Sequence, residues 1–407
     1  MTNASIALVP SGVALSKVFC QIPEPAFELT FSRSSTATRV NQAGFIEVSP
    51  INMPRIDYFG GGCPSLLVEQ SATNSVLRSE EFENAYWIKE ATGVNRSIGT
   101  DGIQPNVAIS PRGDMTADRI TFIPNAGIRG MELKMPSVAA STTHTSSIYV
   151  KGEGSDIGKT VRINVRRITG TYIEVNASAV LTGEWQKVAT PPYTTGAGST
   201  GLDFRIYSDL SGPTTCLIWG AQIEAGNSAT SYIPTVASTV TRSADIVTLA
   251  GATALIGQTA GTIFAEVIYD ATQENVAGGL DQPLVTLTTD SNNRNSVVLY
   301  GAGVGAASNR VYGYTRVGGV LQSGVSNPTA QSSGIVKIAY TYTANSFKLF
   351  VNGVKVGEDL SGTVPTATTI VLGGYVATGA IFTMRLNAVS LEKIVISEAE
   401  AIALTTI

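Results

Sequence analysis

Apolar and polar residues alternate with period two through most of this chain. Such alternation is what a half-buried strand requires, because successive side chains point to opposite faces of a sheet. Phe27-Glu28-Leu29-Thr30-Phe31 shows it near the start, and Ser147-Ile148-Tyr149-Val150-Lys151 and Val161-Arg162-Ile163-Asn164-Val165-Arg166 show it in the middle. Further strands are expected at Asn84-Ala85-Tyr86-Trp87-Ile88, at Phe204-Arg205-Ile206-Tyr207, and from Cys216 to Glu224, where Trp219 reads as the anchor. Turn clusters such as Gly152-Glu153-Gly154-Ser155 and Thr195-Gly196-Ala197-Gly198 separate them. No helical-period segment lies between these strands, so the pattern predicts an all-β chain of antiparallel β-sandwich (jelly-roll) domains.

The C-terminal part repeats the style. Asn352-Gly353 between two apolar arms predicts a type I′ hairpin, since both central residues need positive φ. Met384-Arg385-Leu386-Asn387-Ala388 alternates and Val389-Ser390-Leu391 then shifts phase, which marks a bulge. Ser397 followed by Glu398 and Glu400 predicts an N-cap and one short helix over 398–404. The pattern divides the chain into an N-terminal segment, 1–75, a first sandwich with its connector, 76–245, and a second sandwich, 246–407. The connector, from Thr230-Ser231-Tyr232-Ile233-Pro234-Thr235 to Thr241-Arg242-Ser243-Ala244-Asp245, is turn-rich but lacks a flexible Gly/Ser composition, so it reads as a packed join.

Composition narrows the function classes. A length of 407 residues suits two or three domains. Charged residues make up 14%, against about 25% in ordinary globular domains. With a net charge of −4 and no basic block, nothing follows a phosphate backbone, so nucleic acid is not an expected partner. No apolar run reaches the roughly 18 residues of a membrane span, and the N-terminus lacks the charged start of a secretory signal, so neither membrane insertion nor classical secretion is expected. Cys20, Cys63 and Cys216 have no zinc or disulfide-framework spacing; buried free thiols are expected, with a Cys20–Cys63 bridge left open.

Little in the sequence carries catalysis. The single histidine, His144, sits among threonines and serines with no nucleophile-elbow pattern nearby. Asp290, Asn292, Asn293 and Asn295 cluster in one loop, but their spacing fits no EF-hand, so no metal and no cofactor is expected. Arg112-Gly113-Asp114 spells an integrin-type tripeptide that reads as a chance turn. Tyrosines offer a different chemistry, because an exposed ring can stack on a sugar face. Tyr300, Tyr312 and Tyr314, with Arg310 sharing the parity of the last two, are the candidate ligand contacts. Arg33, Arg39 and Arg55, set among Ser and Thr, are candidate assembly or attachment residues. The plainer reading of all three is hydrogen bonding to carbonyls and to acids such as Asp57 and Glu69.

Three groups of motifs carry a family resemblance. Phe31-Ser32-Arg33-Ser34-Ser35-Thr36-Ala37-Thr38-Arg39-Val40-Asn41, Asn52-Met53-Pro54-Arg55-Ile56-Asp57-Tyr58 and Leu66-Leu67-Val68-Glu69 resemble the start of bacteriophage virion proteins of the tail-fibre or adhesin type. Ser147-Ile148-Tyr149-Val150-Lys151 and Trp219-Gly220-Ala221-Gln222-Ile223-Glu224-Ala225-Gly226 are similar to their carbohydrate-binding-like jelly rolls. Val336-Lys337-Ile338-Ala339-Tyr340 and the 347–357 hairpin look like a laminin-G/concanavalin-like lectin sandwich. The resemblance implies a non-enzymatic protein of the virion, a tail or head fibre or adhesin that displays lectin-like sandwiches to host-surface glycan. Its implied partners are other virion proteins, further copies of itself in a homotrimer or other cyclic oligomer, and host cell-surface polysaccharide. A purely structural capsid-decorating or baseplate protein is the alternative, and a polysaccharide depolymerase is a second one.

Overall fold

The computed structural model describes residues 4–8, 13–14, 17–19, 28–89, 98–122, 130–135, 139–167, 174–199, 201–208, 214–269, 281–300, 309–375 and 383–407. Among the described residues the paired strands are antiparallel, and the chain divides into two compact units. One unit comprises Met1–Gly44, Val48–Ser71 and Ser243–Ile407; the other comprises Phe45–Glu47 and Ala72–Arg242. We call them the lectin-like unit, a label taken over from the sequence expectation and carrying no function, and the middle unit.

The lectin-like unit is two sheets around one core. In the first, Ala260–Tyr269 lies between Gly334–Thr343 and Met384–Glu392, and Ser346–Val351 and Val354–Asp359 extend one side. In the second, Ile246–Ala250, Thr369–Leu372, Asp281–Asp290, Asn293–Tyr300, Val311–Val317 and Val320–Ser326 follow in order. Ile263, Ala265, Val267, Ile338, Tyr340, Leu349, Leu386 and Leu391 of the first sheet meet Val285, Leu287, Val297, Leu299, Val311, Ile370 and Leu372 of the second. Burying such side chains is worth about 1.5–3 kcal/mol each before entropy is charged against it.

The N-terminal segment divides differently from the sequence expectation. Most of its described strands are woven into this unit, while Phe45–Glu47 and Ala72–Asn74 fall in the middle unit: Ala4–Leu8 pairs with Met384–Glu392, Glu28–Ser32 with Ile246–Ala250, and Ser65–Val68 with Met384–Glu392. Leu8, Phe31, Ile56, Leu66 and Val68 sit in the same core. The physical reason is that Met384–Glu392 would otherwise be left with an open edge, which exposes unpaired backbone groups.

The middle unit is a second sandwich. One sheet carries Gly130–Met135, Leu202–Ser208, Thr160–Arg167 and Glu174–Val180 in order, with Ile88–Lys89 at one end. The other carries Ile98–Ala108, Ala117–Phe122, Thr214–Ala225, Thr143–Gly152 and Gln186–Ala189. Val161, Ile163, Val165, Phe204 and Ile206 pack against Ile120, Phe122, Ile148, Val150, Cys216 and Ile218. The connector as far as Arg242 is packed within this unit: Tyr232 shares a 2.7 Å hydrogen bond with Ser79, Gln222 accepts from the Ile233 amide, and Val240–Arg242 pairs with Ala72–Asn74.

Local signals hold well. Asn352 and Gly353 have φ of 50° and 79° between the paired Val351 and Val354. The helix runs Glu398–Thr405 with a capping box between Ser397 and Glu400. The expected phase shift in the last strand is present, with the bulge at Asn387, since Glu266 faces Ala388 and Val267 faces Leu386. Two expectations are corrected. Asn84–Trp87 forms turns rather than a strand, because the Asn84 side chain accepts the Tyr86 amide and its carbonyl takes the Trp87 amide. Cys63 is exposed rather than buried, while Cys216 is a buried thiol; Cys20 lies outside the described residues.

Trp219 is buried, but on the outer face of its sheet. Gly220, at φ +64°, and Ala221 together face a single residue, Ile148, between the Ser147–Gln222 and Tyr149–Trp219 pairs. This bulge switches which parity points inward: Cys216 and Ile218 face the core before it, Ala221 and Ile223 after it. Trp219 is thereby turned outward against Tyr149 and Tyr232, whose ring centroids lie 5.6 Å and 4.4 Å away.

Candidate functional site

The most concentrated polar chemistry lies on the outer face of the middle unit's sheet of Leu202–Ser208, Thr160–Arg167 and Glu174–Val180. The apolar positions of these strands fill the core, so the alternate positions must share the opposite face. Register then builds a grid. Asp203, Arg166 and Glu174 form one row; Arg205, Asn164 and Asn176 the next; Tyr207, Arg162 and Ser178 the third.

The grid slopes from open to closed. Glu174, Asn176 and Ser178 are exposed, Arg162 and Arg166 half-buried, and Asp203, Asn164 and Arg205 only 5%, 2% and 3% exposed. The groups are wired across strands. Asn164 Nδ2 donates to Glu174 Oε1 and to Asn176 Oδ1, both at 2.8 Å. Tyr207 donates to Asn176 Oδ1 at 3.1 Å. Asp203 Oδ2 accepts from Arg166 Nε at 3.0 Å and from Arg205 Nη2 at 3.2 Å. A solvated sheet face would carry Ser, Thr or Lys with little mutual bonding. This one holds three arginines, two carboxylates and two amides in fixed orientations, and planar groups of that kind give paired donors and acceptors of defined direction. Chemically, the shelf can grip a polar ligand rich in hydroxyls.

The tyrosine candidates fall elsewhere, on the outer face of the lectin-like unit's second sheet. Tyr312 and Tyr314 do share a face, and their rings stack with centroids 5.3 Å apart. Tyr314 is 1% exposed: Arg294 Nε donates to its hydroxyl at 2.9 Å, and the Arg294 and Arg316 guanidinium groups lie 5.5 Å and 5.8 Å from its ring centroid. Its ring face is occupied by its own chain, so a sugar cannot stack there without displacing Arg294. Tyr312 and Arg310 are half-buried, and the Tyr300 side chain lies outside the described ones.

Arg33, Arg39 and Arg55 all bond within the lectin-like unit. Arg33 reaches Asp245 at 3.0 Å and the Pro50 carbonyl at 2.6 Å. Arg55 pairs with Glu69 at 2.6 Å, with Asp245, and with the Thr38 carbonyl at 3.0 Å. Arg39 donates to the Ile56 carbonyl at 2.9 Å. Burial alone would lower the Arg55 pKa, but the Asp245 and Glu69 carboxylates outweigh it and hold the guanidinium firmly charged. Of the acids expected for them, Glu69 takes Arg55, whereas the Asp57 carboxylate takes Arg385 and the Val40 amide, and Asp245, not expected, takes both Arg33 and Arg55.

The remaining motifs are bound into turns and packing. Asp290 accepts the Asn292 and Asn293 amides at 2.7 and 2.9 Å and closes a hairpin. Arg112 is drawn onto Glu80 at 2.8 Å and Asp114 at 2.7 Å, so the Arg-Gly-Asp turn is internally paired. His144 is buried, with its ring stacked 5.9 Å from Tyr193, and burial lowers its pKa, favouring the neutral imidazole. Among the described residues, no group of three or more His, Cys, Asp and Glu converges to hold a metal ion, and no helix is long and apolar enough to cross a membrane.

No family model matches the chain, and no curated protein matches it in sequence. Solved structures match parts of it. The CBM40 domain of the Ruminococcus gnavus IT-sialidase, solved with α2,3-sialyllactose, is matched over 37% of this chain and 84% of its own, at 20% identity and a TM-score of 0.29. Domain 4 of AbnA, an arabinanase from Geobacillus stearothermophilus solved with arabinotriose, is matched over 44% and 83%, at 10% identity and 0.31. A botulinum neurotoxin type C structure, described by its interaction with two ganglioside molecules, is matched over 40% of this chain but only 39% of its own, at 9% identity and 0.30. At these identities and scores the likenesses assign no function.

Proposed function

We propose that this chain is a non-enzymatic virion protein of a bacteriophage, a tail or head fibre or adhesin, and that its middle unit contacts host-surface glycan through the polar shelf of Asp203, Arg166, Glu174, Asn164, Asn176 and Arg162. The observation that carries the glycan reading is the register of three strands, which sets arginine, amide and carboxylate groups side by side and holds them by bonds of 2.8–3.2 Å. Pre-oriented groups bind with a smaller ordering cost. Single-site affinity for a sugar is weak, and copies displayed together on a particle turn it into useful avidity. The virion reading rests on the resemblance of residues 31–41, 52–58 and 66–69.

A purely structural decorating protein is the second reading. It is favoured by the same bonds, since shelf groups that satisfy one another need no ligand. A glycan array probed with the purified full chain separates the two: the adhesin reading expects binding to some envelope polysaccharides, the structural reading a blank array. Antibody labelling of phage particles under the electron microscope tests the virion assignment by itself.

A further inference from the structure

Glu174–Val180 is the last strand of its sheet, paired along one side with Thr160–Arg167 and with no strand along the other among the described residues. Open edges are normally guarded by lysine, proline, a bulge or a very short strand. This one is seven residues long, contains no Lys or Pro, and pairs in unbroken register. Its inward side chains, Val175, Ala177 and Ala179, are only half-buried although they rest on the core of the middle unit. Its outward ones, Glu174, Asn176, Ser178 and Val180, are exposed. Both the backbone edge and an apolar row therefore stop short of completion at the same strand.

We infer that this edge pairs with the same edge of a second copy of the chain, antiparallel about a two-fold axis through Ala177. The occupant follows from self-complementarity. With Ala177 facing its own counterpart, Val175 faces Ala179, Asn176 faces Ser178 and Glu174 faces Val180. Apolar residues meet apolar ones on the core side; on the shelf side Asn176 meets Ser178, and Glu174 lies opposite the exposed Val180. The strand's one charge meets no like charge: the two Glu174 carboxylates fall six positions apart, about 20 Å at strand rise, beyond the screening length at physiological salt. Such an isologous contact joins two five-strand sheets into one and lays two polar shelves side by side on one face.

The inference stands on the strand edge, and molecular mass reads it without any sugar. The full chain is measured by light scattering over a concentration series, with V180E and V180K beside it. Val180 is 57% exposed and outward, so neither substitution disturbs the core. V180E sets two carboxylates opposite each other twice per interface, whereas V180K sets a lysine opposite Glu174. The expected result is that V180E halves the mass seen for the unaltered chain, or raises the dissociation constant at least tenfold, while V180K keeps the larger species, all three melting alike. A single-copy mass for the unaltered chain at every concentration, or one mass shared by all three proteins, would overturn it.

Discussion

Asp245 is the residue whose loss should cost the lectin-like unit most for a single carboxylate. It is fully buried, and it accepts from Arg33, from Arg55 and from the Glu69 amide at 2.9 Å, while its own amide donates to the Glu69 carbonyl. In D245A two buried guanidinium groups lose the carboxylate they share. Breaking a buried pair by removing one partner costs about 3–5 kcal/mol. Arg33 keeps the Ser35 and Pro50 carbonyls and Arg55 keeps Glu69, so about 3 kcal/mol is the reasonable figure. At about 1–3 kcal/mol per molar urea this moves the midpoint down by about 1–3 M. The assay has a built-in separation, because Trp87, Trp185 and Trp219 all lie in the middle unit. Tryptophan fluorescence reports that unit, and far-UV circular dichroism reports both. D245A should advance a dichroism transition by about 1 M urea or more and leave the fluorescence curve nearly in place. A midpoint change too small to measure, or an equal shift in both signals, would refute the reasoning. D245N should behave like D245A, since it keeps the shape and removes the charge.

Three further outcomes are expected. Gly220 sits at φ +64°, and a Cβ added there would lie 3.1 Å from the Tyr232 ring and 3.3 Å from that of Tyr149, so G220V should lower the fluorescence-detected melting temperature, by about 2–4 °C per kcal/mol lost, and an unchanged melt would contradict the bulge. Asp118 accepts the Asn106 and Phe82 amides at 2.9 and 3.1 Å, and burial pushes its pKa from 3.8 up to about 7, the Asn106 bond opposing and Glu83 adding. Because the folded value is the higher one, its contribution to stability is fully present below about pH 4 and is lost as pH rises through 7; the fluorescence melt should fall between about pH 4 and 7 and level off above, and D118N should flatten that slope. A side chain at Gly313 would meet the Tyr340 ring at 2.4 Å, so G313A should destabilise the lectin-like unit by about 1–3 kcal/mol in the dichroism melt, with no loss if the two sheets pack otherwise.

What is legible in the sequence is local. The Asn352-Gly353 hairpin, the capped helix and the phase shift before Val389 each depend on a few adjacent residues. Glu69 as an acid for the neighbouring arginines is legible too, but Asp245, the carboxylate that Arg33 and Arg55 share, is not, because it lies some 190–212 residues away. The polar shelf is not: Val161–Arg166 shows its alternation openly, but an arginine on a strand's polar side reads as solvated until Asp203 is known to lie beside it. Trp219 is an anchor, as its strand pattern suggests, yet alternation cannot say which face it anchors, because a single glycine bulge reverses the parity. The place of the first residues is hidden for a similar reason, since Ala4–Leu8 finds its partner at Val389–Glu392, almost the whole chain away. One practical consequence is that removing 247–407 would also strand Glu28–Ser32 and Ser65–Val68, so point variants test function better than that deletion.

Glycan binding by the middle unit's shelf is the central claim, and the most direct measurement compares the full chain with an R162A/R166A variant on an array of bacterial envelope polysaccharides. Both arginines are half-buried and outward, so the fold should survive their loss. The unaltered chain is predicted to bind, and the variant, still folded at the assay temperature because Arg205 continues to hold Asp203, to lose at least tenfold in bound signal. A blank array for the unaltered chain, or equal binding by both proteins, would contradict the claim.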